Sequence, residues 1–324
     1  MKIHKGLVLF TVTLVMLAFA TTPSLAEMPK SIVLGSGPVG GGFNMVTVGV
    51  AKYWKKDLGV TTNIVPGAMP ANLKKFAAGK LPFAMGAASW AKAMYDGNML
   101  IFGDPAKHAR VMFHIYENPW YVIALKSSGL RKISDLKGKR YGGGPNKRIW
   151  YHIMGNKMEA NGIPYNDNSK MSIANFQDMA IMVGDGTLDA CAAMLEGFTP
   201  QPATQRLMQE REIVALEWDP AVIEKFKNDA FYPTVIRKGI VPFIDKDFHT
   251  FSGGAANIIS RADVDDELVY NLTKTMHKNL QTIAAENPFW KYPAKIPEIL
   301  TIDSGVPYHP GAIKYWKEAG MWKK

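Results

Sequence analysis

Short apolar runs alternate with helical stretches from residue 31 onward, and glycine marks nearly every change between them. That order constrains the fold more than any other feature. Strands joined through helices pair in parallel, so a sheet flanked by helices is expected. Residues 31–34 read as a buried strand closed by Gly35-Ser36-Gly37, and the glycine loop 38–42 leads into a helix over 43–56. A strand over 61–65 stops at Pro66-Gly67, and a short helix over 72–78 ends at Gly79. A third strand over 81–87 precedes a helix that Ser89 is placed to cap. Residues 110–126 form a long apolar and aromatic stretch interrupted at Glu117-Asn118-Pro119, which reads as two strands meeting at a crossover between lobes. A new α/β series follows: a strand over 140–142, a loop over 143–146, helices over 147–161 and 175–183, a strand over 188–194, a loop over 196–202 and a strand over 213–217. Residues 253–260 are strand-like and return the chain to the first lobe, before a helix over 264–285 and a last one from Pro310.

The N-terminus carries a separate signal. Lys2, His4 and Lys5 precede an apolar stretch over 7–20, and small residues lead to Ala26. This is the order of a secretory signal peptide over 1–26, cleaved after Ala26, which places the mature chain in the periplasm. The apolar run is shorter than a membrane-spanning helix requires. Hydrophobic residues make up 47% and charged residues 20%, which excludes a largely disordered chain. Lys2 and Lys5 leave with the signal, so a formal +10 becomes +8. The single cysteine, Cys191, excludes a disulfide framework and a Cys-cluster metal site. An exported chain of this composition is held by its core alone, and 324 residues suffice for two lobes. Cys191 lies in an apolar run near Asp185 and Asp189, and reads as a small buried hydrophobe rather than a reactive thiol.

Gly35-x-Gly37-x-x-Gly40 follows a strand and precedes a helix, as in a dinucleotide-binding loop. The second strand, however, ends in Pro66-Gly67 where an acid would hold the ribose. What survives is physical: glycines expose backbone N–H groups at a helix start, and Gly41 and Gly42 extend that bare backbone. A carboxylate fits such a place as well as a phosphate. A tight turn without a ligand is the alternative.

Several segments carry a resemblance to a known family. They are Gly35-Ser36-Gly37-Pro38-Val39-Gly40-Gly41-Gly42-Phe43, the turn from Gly67 to Asn72-Leu73, and His114-Ile115-Tyr116-Glu117-Asn118-Pro119-Trp120. Further along are Ile133-Ser134-Asp135-Leu136-Lys137-Gly138-Lys139, Asp185-Gly186-Thr187-Leu188-Asp189-Ala190 and Val306-Pro307-Tyr308-His309-Pro310-Gly311-Ala312. In these the chain resembles the TAXI family of solute receptors, which serve TRAP transporters. The resemblance implies an α/β, type II periplasmic-binding-protein fold: two α/β lobes joined by two crossover strands, with a ligand cleft between them. The lobes are expected at 27–120 and 121–233, with 234–324 returning to the first lobe and its C-terminal helices. It implies capture of a small organic anion (a carboxylate, dicarboxylate, 2-oxo acid or amino acid) and delivery to a TRAP-type membrane permease. The chain departs from the family pattern at Phe43-Asn44-Met45, at Gly144-Pro145-Asn146-Lys147-Arg148, and at Trp90 and Trp120.

A ligand carboxylate held out of water needs a partner for each oxygen. Two facing helix starts could supply them, with Gly41, Gly42, Phe43 and Asn44 on one side and Pro145, Asn146 and Lys147 on the other. Arg148 is the candidate for a two-oxygen clamp, with Lys147 the weaker one; a solvated first turn is the alternative for both. Ser36, Asn72, Ser89 and Asn146 stand at strand ends or helix starts as polar contacts, or as plain caps. Trp90, Tyr116, Trp120, Phe198 and Tyr232 form an apolar wall, or pack in the core. Residues 125–148 hold eight basic residues and one acid, a field that could steer anions or simply face solvent.

An enzyme is not indicated. Neither G-x-S-x-G nor H-E-x-x-H occurs, and His108 and His114 lack a metal-ligand spacing. No cofactor, metal or nucleic acid is expected, and the receptor is expected to act as a monomer. A sensor that docks on a signalling receptor is the alternative, followed by an exported enzyme on the same fold.

Overall fold

The computed structural model describes residues 28–97, 102–144, 154–164, 171–172, 175–229 and 231–323. The expected signal peptide and the loop–helix segment 145–153 lie outside these residues. Two sheets organise two lobes. The first sheet takes β1 (Ser31–Gly35), β2 (Thr61–Val65), β3 (Phe83–Ala87), β4 (Ala109–His114) and, much later, β13 (Ala256–Arg261), in the order β2-β1-β3-β13-β4. The second is built from β5 (Pro119–Leu125), β6 (Tyr141–Gly142), β7 (Met171–Ser172), β8 (Ala190–Glu196), β11 (Pro233–Ile236) and β12 (Phe248–Ser252). Its order is β11-β12-β5-β8-β6-β7. Two short strands, β9 (Thr199–Pro200) and β10 (Ile213–Ala215), join it beside β8 and β5.

Parallel pairing holds where helices intervene: β1 with β2 and β3, and β6 with β7 and β8. The strands near the connections between sheets are antiparallel. The chain passes to the second sheet between His114 and Pro119 and returns between Ser252 and Ala256. Residues 234–252, expected with the first lobe, therefore run in the second sheet. Their strand Phe248–Ser252 mixes polar and aromatic residues, and only pairing with β5 and β11 reveals its place.

In the first lobe, α1 (Gly42–Leu58), α2 (Met69–Ala77) and α3 (Ala88–Asp96) follow the glycine loop and the next two strands. Val46, Val50, Tyr53 and Trp54 recur at helical spacing and are buried, which gives α1 its core face. The helix stops at Gly59, whose φ of 73° only glycine adopts readily; its N–H bonds the Lys55 carbonyl at 3.1 Å. In the second lobe run α4 (Asn156–Ala160), α5 (Phe176–Gly184), α6 (Pro202–Glu210) and α7 (Pro220–Lys225). Strand β5 is buried on both faces: Trp120, Val122 and Ala124 join the main core, while Tyr121 and Ile123 join a second cluster with Cys191. Cys191 sits there as expected, and burial pushes its thiol up to about 12.

The C-terminal region completes the first lobe with α8 (Asp266–Lys278), α9 (Leu280–Glu286), α10 (Lys291–Lys295) and α11 (Pro310–Glu318). The single helix expected over 264–285 breaks at Asn279, whose side-chain amide donates to the Thr275 carbonyl and to Asp57. Three buried tryptophans lock the lobe by donating indole N–H groups to distant carbonyls: Trp54 to Leu272, Trp290 to Val46 and Trp316 to Met112. Helix α11 lies so close to α8 that a Cβ on Gly311 would fall 2.0 Å from the Asp266 carbonyl oxygen. Backbone cannot yield there as a side chain could. Gly311→Ala is therefore expected to cost about 2–3 kcal/mol, read as a lower urea midpoint at unchanged slope; an unchanged midpoint contradicts this packing.

Candidate functional site

The two connections between the sheets lie side by side. Ile115 N–H donates to the Ala256 carbonyl at 2.7 Å, Ala256 N–H to Tyr116 at 2.8 Å, and Gly253 N–H to Asn118 at 3.2 Å. They continue the β4–β13 and β5–β12 ladders and make one antiparallel ribbon that crosses both lobes. Gly254, at φ 76°, lets this ribbon run against α3, where a Cβ would meet Ala88 at 2.9 Å.

The start of α1 stands next to this ribbon. Gly40 is left-handed at φ 77°, and Gly41 is the N-cap, with no side chain to satisfy the first turn. Gly41 N–H closes a turn on Pro38, and Met45 N–H makes the first helical bond to Gly41. Among the described residues, no partner accepts from the N–H groups of Gly42, Phe43 or Asn44. The helix dipole adds positive potential at the same place.

What faces these groups is an acid from the other lobe. Strand β8, expected to stop at Met194, continues to Glu196, whose carboxylate lies against Gly42. A Cβ on Gly42 would fall 1.6 Å from Glu196 Oε2, so any other residue there would push the carboxylate aside. Glu196 is 4% exposed and its Oε2 has no hydrogen-bond partner. Burial alone pushes this carboxyl up to about 8. The next residue, Gly197, is wedged between Tyr116 and Tyr292 and donates its N–H to the Glu117 carbonyl at 2.9 Å. A second acid, Glu117, sits within the first connection. It accepts from Ser252 Oγ at 2.8 Å and Tyr232 Oη at 3.4 Å, and burial, partly offset by these bonds, raises its pKa. Neither acid is among the site residues expected from sequence. The signal is present all the same, since each interrupts or ends an apolar run.

The expected site residues divide into four groups. Gly41, Gly42, Phe43 and Asn44 form the bare helix start, and the Phe43 ring packs 6.4 Å from that of Tyr116. Tyr116 is fully buried with an unpartnered hydroxyl. An aromatic set bridges the lobes: Trp90 meets Phe231 edge-on at 6.4 Å, and Phe231 lies 5.4 Å from Trp120. Phe198 stacks on Tyr292 of α10 at 4.7 Å, and Tyr232 holds Glu117.

Ser36, Asn72 and Ser89 serve as braces. Ser36 Oγ lies 2.9 Å from Thr47 Oγ1, and Asn72 Nδ2 donates to Ser36 at 2.7 Å and Val65 at 3.0 Å, tying the glycine loop to β2. Ser89 does not cap α3, which begins one residue earlier; its hydroxyl donates to Gly253 on the second connection. The remaining group, Pro145, Asn146, Lys147 and Arg148, lies outside the described residues. Within the basic stretch, Arg140 makes a two-pronged pair with Asp189, and Lys126 meets Glu212 at 3.4 Å. Part of that charge is therefore neutralised locally. Among the described residues no helix is long and apolar enough to cross a membrane.

A solved structure described as a periplasmic transporter aligns with a TM-score of 0.53 at 12% identity, over 79% of this chain and 85% of that one. The binding component of an ABC phosphonate transporter from Pseudomonas aeruginosa aligns at 0.50 and 12% identity, over 79% and 78%. Likeness at this identity concerns the fold, which is that of the periplasmic binding proteins. The family model that matches, over residues 34–320, is the NMT1-like family, and the chain belongs to it.

Proposed function

We propose that this chain is an extracytoplasmic solute-binding protein that captures a small organic anion between its lobes and hands it to a membrane permease. The observation that carries this reading is the bare start of α1 facing the end of β8 across a two-stranded hinge. A ligand touching both sides favours the closed arrangement by its differential contacts, and a permease reads that arrangement. The function is binding rather than turnover, performed by a monomer after cleavage at Ala26. The names of the two solved relatives, a periplasmic transporter and an ABC transporter's binding component, support a transport role. The glycine-loop and C-terminal motifs shared with TAXI receptors support a TRAP-type permease over an ABC one. Uptake that survives ATP depletion and collapses with the ion gradient agrees with that choice; the reverse dependence assigns an ABC permease.

The ligand class is reached by a thermal-shift screen of the mature chain against C4–C6 dicarboxylates, 2-oxo acids, amino acids and aromatic acids. A saturable rise in Tm with at least one carboxylate is expected. A folded chain that responds to none overturns the reading. The same binder should change tryptophan emission, because Trp90 and Trp120 stand where the lobes meet. Trp90→Phe with Trp120→Phe should remove most of that change, and a full signal in the double variant assigns it elsewhere. Arg148→Ala should weaken the anion at least tenfold by calorimetry if its guanidinium clamps the carboxylate. An unchanged Kd removes Arg148 from the site.

A further inference from the structure

Glu196 poses a problem for any anion receptor. A buried carboxylate at the helix start would repel a second carboxylate brought to the same place, since two such charges in a dry site cannot both persist. We propose that Glu196 is itself a ligand-binding residue, which acts as the uncharged acid and donates its Oε2 proton to a carboxylate of the ligand at the start of α1. The inference rests on the anion-receptor reading and adds the residue that discriminates among anions.

Geometry carries it. The donor atom is buried, unpartnered and placed against Gly42, at a turn whose own N–H groups have no partner among the described residues. An anion there would accept from these N–H groups and from the acid together. The proton is already on Glu196, so no bond is made or broken on binding. An ionised Glu196 would instead accept from those N–H groups and compete with the ligand for them.

The surroundings favour the neutral form. Tyr116 and Tyr121 are the titratable groups closest in effect, and neither supplies a positive charge. Glu117 lies beyond the Gly197 amide and is occupied by Ser252 and Tyr232. Tyr292 packs on Gly197, and Lys295 stands over the Phe198 ring at 5.7 Å. Among the described residues no lysine or arginine forms an ion pair with Glu196, and desolvation is what moves its pKa, up to about 8. The acid is therefore present as a donor below about pH 8 and is lost as pH rises through that value.

The test runs the carboxylate panel above on the mature chain and on Glu196→Gln, at pH 6.5 and pH 9.0, with Kd from calorimetry and folding from circular dichroism. For an amine-free binder the wild type should lose about tenfold in affinity at the higher pH, as the competent fraction falls. Glu196→Gln keeps a donor at the same place, so it should bind within about threefold of wild type at pH 6.5 and show no such loss at pH 9.0. Tight binding by the wild type that is equal at both pH values overturns the inference and leaves the receptor reading standing. Binding confined to amine-bearing acids and abolished in Glu196→Gln also overturns it, and makes Glu196 an ionised acceptor for an ammonium group. A folded chain that binds nothing in the panel overturns the receptor reading and the inference with it.

Discussion

The two chain segments that pass between the sheets are bonded to each other, and everything else about this molecule is arranged around that ribbon. Ile115, Tyr116 and Asn118 on one side meet Gly253 and Ala256 on the other through main-chain bonds of 2.7 to 3.2 Å. A two-stranded ribbon can bend and twist while keeping its hydrogen bonds, so it suits a hinge better than a single linker does. Moving such a hinge from one-in-a-hundred closed to ninety-nine-in-a-hundred requires about 5.5 kcal/mol of ligand preference. A few charge-assisted hydrogen bonds in a dry cleft are of that order.

The contact across the hinge explains a sequence detail that nothing local accounts for. Three successive glycines open α1, although one would suffice for the left-handed turn at Gly40. The last leaves the room that Glu196 fills, since its carboxylate arrives from the other lobe and lies where a Cβ would be. The same contact buries a carboxyl without an ionic partner among the described residues, which is tolerable only if it keeps its proton or finds a donor. Glycine loop and acid are thus two halves of one device, contributed by residues more than 150 positions apart in sequence.

The fold is legible in the sequence where local chemistry decides it. The strand–glycine–helix alternation places β1 through α3, and the break at Glu117-Asn118-Pro119 marks the first crossover. The return near Gly253 is equally visible, because residues 253–260 are strand-like and the strand Ala256–Arg261 lies in the first sheet. Legibility fails where partners far away decide. Residues 234–252 join the second sheet through pairing with β5, which no local pattern announces. Asn279 breaks a helix because its amide finds Asp57, 222 residues away. Ser36, Asn72 and Ser89 read correctly as polar groups at element ends, but their partners are the protein's own carbonyls. Glu196 reads as the first residue of a loop, since an acid after an apolar run normally meets water; only the opposing helix start shows that it does not.

Where a bound anion sits decides whether the helix start and Glu196 form one site. A crystal structure of the mature chain with the carboxylate ranked highest by affinity tests this most directly. Density for that carboxylate is expected between the N–H groups of Gly42–Asn44 and Glu196 Oε2, with both lobes in contact with it. Density on the outer surface of one lobe, with Glu196 still packed on Gly42 and the interlobe space unchanged, would contradict it.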